Sequence, residues 1–267
     1  EIYTLSLHDA LPIWFSPDFT QDKFVNAPNA VLMAAPIDKA APDGFHATSI
    51  YPEYFKIEGR WYLAEETRMD CVPVFEHGAI VVREFRNLRQ GDMIVVGRTE
   101  NCEEGIYVNY DCFAWEQRQK SGTFAFRQSR SRETAFSYDY EQLAELLRYE
   151  KENGGYVTWV LGPACAFDAQ ARENMAKLIV NGYVQALLAG NALATHDLEA
   201  GLFGTALGQN IMTQVPHENG HYNHLIAINK INTYGSIPKF IEEEHISDGI
   251  LNACVKSGVP FVLNGSI

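Results

Sequence analysis

Gly155-Tyr156-Val157-Thr158-Trp159-Val160-Leu161-Gly162-Pro163 and Gly182-Tyr183-Val184-Gln185-Ala186-Leu187-Leu188-Ala189-Gly190-Asn191 are two short apolar runs, rich in β-branched and aromatic residues, and each stops at glycine. Between them lies Ala171-Arg172-Glu173-Asn174-Met175-Ala176-Lys177-Leu178-Ile179-Val180-Asn181, whose apolar residues Met175, Leu178 and Ile179 recur at helical spacing before the stop signal Asn181-Gly182. Strand, helix and strand of these lengths form a βαβ unit and imply a parallel sheet. Ligands of open parallel sheets gather beyond the carboxyl ends of the strands. Here those ends are Gly162-Pro163-Ala164-Cys165 and Gly190-Asn191-Ala192-Leu193-Ala194-Thr195-His196-Asp197-Leu198-Glu199, the second unusually polar for a segment leaving a buried strand. This edge is the expected active face.

Composition bounds the rest. A chain of 267 residues, 46% hydrophobic and 21% charged, is long enough for one large or two ordinary domains with real cores. A net charge of −13 disfavours nucleic acid and anionic membrane surfaces as partners. No apolar run approaches the roughly 18–20 residues of a spanning helix. The five cysteines, Cys71, Cys102, Cys112, Cys165 and Cys254, are odd in number and lack CxxC spacing, which argues against a disulfide framework or structural zinc and fits the cytoplasm.

Outward from the βαβ unit, Leu143, Leu146 and Leu147 predict an amphipathic helix over 139–152, and Asn153-Gly154-Gly155 ends it. Residues 139–155 are expected to connect two domains. The upstream one, 51–138, shows Tyr54–Ile57 and Arg60–Leu63 around Glu58-Gly59, a hairpin signature, with further short strands over 71–75, 79–83, 93–97 and 105–110. Arg118, Lys120, Arg127, Arg130 and Arg132 form a basic cluster that reads either as an anion grip or as a solvated loop. Residues 14–50 read as an irregular lead-in. Tyr3-Thr4-Leu5-Ser6-Leu7-His8-Asp9-Ala10-Leu11-Pro12-Ile13 reads as a translated sequencing adapter, so residues 1–13 are set aside from fold reasoning. Downstream, helices are expected over 193–207, 221–231, 236–244 and 247–257, then a strand over 259–263. The chain stops four residues later, where a parallel sheet expects another helix, and so reads as a gene fragment. The expected class is α/β: a small β-rich domain followed by a parallel-sheet domain over 156–267 that is truncated at its carboxyl end.

Several constellations could carry chemistry. The stretch from Asn191 to Glu199 offers Asn191, His196, Asp197 and Glu199 just after a strand; it reads as an anion or ribose cradle at a helix start, or as simple capping. Gly162-Pro163 lacks the GxGxxG spacing of the ordinary dinucleotide fingerprint. His217-Glu218-Asn219-Gly220-His221 spells HExxH, which in a zinc peptidase places two ligands on one helical face beside a general base. Asn219-Gly220 is a turn dipeptide, and Pro216 marks a helix that has barely begun, so no metal site is expected. His221 and His224 share a helical face, with Asn229 about one and a half turns on, and suit acid–base work. Cys165 reads as a nucleophile or as a small buried residue.

The motifs Gly190–Glu199, Leu202–Gly208 and Gly220–Lys230 resemble the archaeal-type ornithine cyclodeaminase family. Pro260–Ile267 matches the start of that family's Gly-Ser-Ile-Arg-Asp-Asp-Gly-Pro-Leu-Pro motif, and Ala41–Phe45 and Arg68–Asp70 match its pattern upstream. The resemblance spans roughly residues 27–267. It implies a β-rich domain of the lysine–ketoglutarate reductase/saccharopine dehydrogenase type, then a Rossmann-like NAD-binding domain similar to deoxyhypusine synthase. It also implies conversion of L-ornithine to L-proline and ammonia with NAD recycled, a small amino-acid substrate, a possible homo-oligomer and, in some relatives, an upstream hydrolase domain. On that reading NAD lies against Gly162, Pro163, Gly190, Asn191, Asp197, Asn229, Gly265 and Ser266. Proton transfer falls to His224 or His221, with Asp197 holding the substrate ammonium or acting as base and Glu199 orienting it. A saccharopine dehydrogenase-related protein, a non-catalytic NAD sensor and a zinc peptidase are the alternatives.

Overall fold

The lead-in expected to be irregular folds as part of the first unit. In the computed structural model, which describes residues 16–112 and 137–265, the chain divides into two compact units, Glu1–Phe124 and Ala125–Ile267. The residues 113–136 that hold the basic cluster, the set-aside residues 1–13 and Ser266 lie outside the described residues. In the first unit a single turn of helix α1 (Asp22–Val25) precedes strand β1 (Val31–Ala34). Strands β2 (Glu53–Ile57), β3 (Arg60–Leu63), β4 (Val72–Glu76), β5 (Ala79–Arg83), β6 (Met93–Val96) and β7 (Ile106–Val108) follow, close to the spans expected from sequence. They form two antiparallel sheets, ordered β1-β6-β4-β5 and β3-β2-β7. Glu58 and Gly59 both take left-handed angles, φ 50° and 78°, so the β2–β3 connection is the two-residue turn whose twist suits a hairpin.

Strand β2 is buried along its whole length, including Lys56. A buried ammonium needs partners for its protons. Lys56 Nζ donates to the carbonyls of Phe24, Val25 and Ala27 at 3.0, 2.8 and 2.8 Å. The lead-in is thereby tied to the sheet, and aromatic contacts of Phe24 with Trp61 and Tyr107 seal the same junction.

The second unit carries helix α2 (Ser137–Glu152), strand β8 (Thr158–Leu161), a one-turn helix α3 (Ala164–Phe167), helix α4 (Ala169–Val180) and strand β9 (Ala186–Ala189). Helix α5 (Asn191–Phe203), the short ribbon β10 (Thr205–Ala206) and β11 (Gln209–Asn210), helices α6 (His221–Tyr234), α7 (Ile237–Glu243) and α8 (Ile250–Ser257), and strand β12 (Phe261–Leu263) complete it. Asp168 caps α4, its side chain accepting from Ala171 N. The sheet is parallel in the order β12-β9-β8. Leu187 and Ala189 turn into a core with Met175, Ile179, Leu193, Leu198, Ile250 and Leu251. On the opposite face Val160, Leu188 and Val262 stand in register and are exposed. The strands therefore alternate, although parallel strands usually bury both faces.

Helix α5 is buried on all sides from Leu193 to Ala200. A Cβ at Gly201 would lie 2.7 Å from Ile246 Cγ2, so the glycine that interrupts the apolar spacing permits close packing. Gly204, at φ 68°, ends the helix in the left-handed conformation glycine favours. No helix among the described residues is long and apolar enough to cross a membrane.

Lys56→Met leaves three carbonyls without their charged donor while keeping the apolar stem. It should lower the stability of the first unit by about 1–3 kcal/mol, read as a reduced urea midpoint.

Candidate active site

The carboxyl ends of β8, β9 and β12 share one edge of the parallel sheet, as the sequence reading required. Gly190 is the residue before α5, in extended conformation and with no side chain capping the helix. The backbone N–H groups of Asn191 and Ala192 precede the first bond of the helix end, Leu193 N to Gly190 O at 3.1 Å, and have no intrahelical acceptor. Asn191 Nδ2 donates to Gly265 O at 3.0 Å and joins the end of β9 to the segment after β12. A Cβ on Gly190 would sit 3.7 Å from Asn264 O, and one on Gly265 would sit 3.9 Å from Asn191 N. Gly265 also has φ 145°, a conformation that L side chains rarely adopt. Gly162 is exposed at the end of β8, and Pro163 opens α3. Gly162, Pro163, Gly190, Asn191 and Gly265 thus meet at one edge.

Asp197 goes elsewhere. It is 1% exposed, and its Oδ1 accepts from Arg172 Nε at 2.7 Å and Ile250 N at 2.9 Å, while Oδ2 accepts from Leu251 N at 2.8 Å. The carboxylate caps α8 and anchors Arg172 of α4, which also bonds both carboxylate oxygens of Asp248. Burial pushes the Asp197 carboxyl upward, and Arg172 with the two backbone N–H groups opposes it. The role expected from sequence, at the substrate or the cofactor, is replaced by one inside the core. Gly249 makes room for this: at φ 109°, a Cβ there would fall 2.4 Å from Arg172 Nη2 and 2.9 Å from Asp197 Oδ1. The signal was present in the sequence, because Arg172 occupies a position on the same stripe as Met175 and Ile179.

Glu199 is fully buried, with three donors and a histidine ring nitrogen against its two oxygens. Oε1 accepts from Thr205 Oγ1 at 2.9 Å and Gly208 N at 3.0 Å; Oε2 accepts from Leu207 N at 3.1 Å and lies 3.0 Å from His196 Nδ1. Asn223 Nδ2 on α6 donates to Thr205 Oγ1 at 2.8 Å. Glu199 therefore organises the β10–β11 turn and contacts His196 rather than Asp197, the partner expected from sequence. His196 and Glu199 are three apart on one helix face, a spacing that was readable. The turn is held against the start of α6 by direct backbone contact: a Cβ on Gly220 would lie 2.2 Å from Gly208 O, and one on Gly208 lies 2.5 Å from Gly220 C.

On α6, His221 is exposed, His224 is half-buried, and the His224 ring centroid stands 6.2 Å from that of His196. Phe167 covers His196 with centroids 4.8 Å apart. Asn229 is buried about one and a half turns beyond His224 on α6. His217 lies before the helix begins, and Asn219 takes φ 54°, so His217 and His221 do not share a helical face as HExxH chemistry requires. No group of three or more His, Cys, Asp or Glu suited to a metal ion occurs among the described residues. Cys165 is half-buried against the core; burial, followed by the Asp197 and Asp168 carboxylates, pushes its thiol upward, away from the thiolate a nucleophile needs.

A parallel sheet with glycine-lined strand ends at a helix start, beside a buried carboxylate–histidine pair, defines a Rossmann-like α/β domain. Its family follows from comparison with known proteins. Residues 141–267 match the family model described as arginine dihydrolase ArgZ-like, C-terminal, Rossmann fold, and residues 52–135 match the ArgZ-like C-terminal first region. Ornithine cyclodeaminases of Methanopyrus kandleri and Archaeoglobus fulgidus are 38% and 39% identical over 239 and 237 residues, each alignment covering 88% of this chain and 56% of the relative. The crystal structure of AgrE in ternary complex with ornithine and NAD+ superposes with a TM-score of 0.73 at 33% identity, covering 91% of this chain and 33% of that one. The chain belongs to the ornithine cyclodeaminase/ArgZ-like family. It spans little more than half the length of the curated cyclodeaminases it matches.

Gly249→Ala forces a side chain into the Arg172–Asp197 pair at a positive φ. It should destabilise the second unit by more than about 2 kcal/mol, seen as a lower thermal midpoint, whereas Gly204→Ala, where an added Cβ meets nothing within 4 Å, bears only the backbone strain.

Proposed function

We propose that this chain is the NAD-binding and deaminating part of an ornithine cyclodeaminase, converting L-ornithine to L-proline and ammonia. The observation that carries the reading is the cradle of Gly190, Asn191 and Gly265 at the start of α5, in a chain one-third identical to a protein solved with ornithine and NAD+. The cradle fits a dinucleotide: uncapped N–H groups and the positive end of the helix favour a phosphate, and glycine lets backbone approach it. We assign Gly190, Asn191 and Gly265 to the phosphates, with Gly162, Pro163, Asn229 and Ser266 as further cofactor-side positions. NAD, when bound, supplies the acceptor for the Cα hydride and returns it to the cyclised imine. The protein's own work is then to orient the amino acid, exclude water and move protons at the amine. We assign the later transfers, at the imine and the attacking δ-amine, to His224, half-buried on α6, with exposed His221 one turn earlier as the second candidate. We assign Asp197 to bracing α4, α5 and α8 rather than to the substrate.

Two measurements test this on the full-length protein. Asn191→Ala should weaken NAD binding about tenfold, equivalent to about 1.4 kcal/mol, by titration calorimetry. Incubation with ornithine and NAD should yield equimolar proline and ammonia with no net NADH. A preparation that binds NAD and forms neither product defeats the cyclodeaminase reading; unchanged affinity in Asn191→Ala removes the cradle assignment.

A further inference from the structure

The donors around Glu199 decide a tautomer. The Leu207 and Gly208 backbone N–H groups can only donate, one to each carboxylate oxygen. Thr205 Oγ1 receives the Asn223 amide proton, so its own hydroxyl hydrogen points to Glu199 Oε1. The remaining contact, His196 Nδ1 at 3.0 Å, meets an oxygen that already accepts a backbone proton. An ionised carboxylate only accepts, so the Nδ1 nitrogen must carry hydrogen. In the neutral ring that leaves a lone pair on Nε2. Nε2 has no hydrogen-bond partner among the described residues. It is not one of the fully buried polar atoms that lack a partner, so on a residue 7% exposed its lone pair is open to a small ligand. The ring neighbours Phe167 of α3 and His224 of α6, at centroid distances of 4.8 and 6.2 Å, and α6 also reaches the network through Asn223.

We propose that Glu199 is a positioning residue that fixes His196 with hydrogen on Nδ1, and that His196 Nε2 is the acceptor for a proton of the substrate's α-ammonium. This rests on the cyclodeaminase reading for the identity of the donor. In the transfer one N–H bond of the ammonium breaks, its electron pair stays on the amine nitrogen, and a new N–H bond forms at Nε2. The imidazolium is paired with the Glu199 carboxylate, and its proton departs with ammonia as ammonium. The ring returns to its starting state, so no net proton is consumed. Glu199 itself has no lone pair free for the substrate. The relay reaches it only through His196.

Long-range 1H–15N spectra of the histidine rings in the ¹⁵N-labelled chain, with His196→Asn to assign the signal, read the tautomer directly. The expected result is a neutral His196 with hydrogen on Nδ1, and loss of that preference in Glu199→Gln. His196→Asn keeps an N–H near the Nδ1 position but removes the Nε2 acceptor. In a wild type that makes proline, it should lower kcat by about a hundredfold or more with NAD affinity unchanged. Hydrogen on Nε2 in the wild type overturns the proposal, as does His196→Asn turning over within about threefold of wild type. A wild type that binds NAD yet forms neither proline nor ammonia counts against the cyclodeaminase reading and the proton role together. The tautomer, measured on the same sample, decides the Glu199 assignment independently.

Discussion

A helix buried on every side can carry ionised side chains only if the surrounding structure supplies each with donors. Helix α5 carries two, Asp197 and Glu199, and the second unit is arranged around filling them. Asp197 takes Arg172 from α4 and the first N–H groups of α8. Glu199 takes the turn after the helix and, through Thr205, a side chain of α6. Two residues apart on a helix, the carboxylates point in different directions. One draws in α4 and α8, the other β10, β11 and α6. Removing either would strand buried donors, a heavier penalty than losing an ordinary hydrogen bond.

This arrangement explains which parts of the molecule were legible beforehand. Strand spans and the hairpin at Glu58-Gly59 depend on local pattern and turn chemistry, and they appear where alternation and glycine place them. The helices after Asn191 likewise follow apolar spacing to within a few residues. The lead-in failed for the opposite reason. Its order comes from Lys56, a single buried cation far along the chain, and from β1 pairing with β6, neither of which leaves a periodic trace. The exposed face of the parallel sheet leaves no trace in sequence either, because Val160, Leu188 and Val262 are as apolar as their inward neighbours and composition does not distinguish the two faces.

The candidate site divides along the same line. Glycines at strand ends were readable as an edge because parallel topology alone brings them together. The carboxylates were readable as functional groups but not by partner. Asp197 looks like a ligand for an ammonium until Arg172 is seen to enter from 25 residues upstream. Glu199 looks like its helper until the turn at Leu207 and Gly208 folds back over it. In both cases the deciding group is a backbone N–H or a long cation; spacing puts Arg172 on the buried stripe of α4, but it does not say which partner the side chain reaches.

On the proposed reading, the geometry of α5 separates two tasks on one rigid element. Its first turn offers uncapped N–H groups at the strand ends, where a phosphate is favoured. His196 lies five residues on, about 7.5 Å along the axis at 1.5 Å per residue. An anionic group and a proton-transfer group placed on the same helix cannot drift relative to each other, because the helix is locked from Leu193 to Ala200 by core packing. Precision of this kind matters where small misplacements of reacting atoms carry large rate penalties. It also accounts for the close approach of Gly208 and Gly220, which pins the turn holding Glu199 to the start of the helix bearing His221 and His224. A side chain at either glycine would push α6 from the turn, loosening the Asn223–Thr205–Glu199 chain at one end and shifting His224 at the other. The rigidity of the site therefore resides in two glycines and two buried carboxylates, none of which needs to touch the substrate.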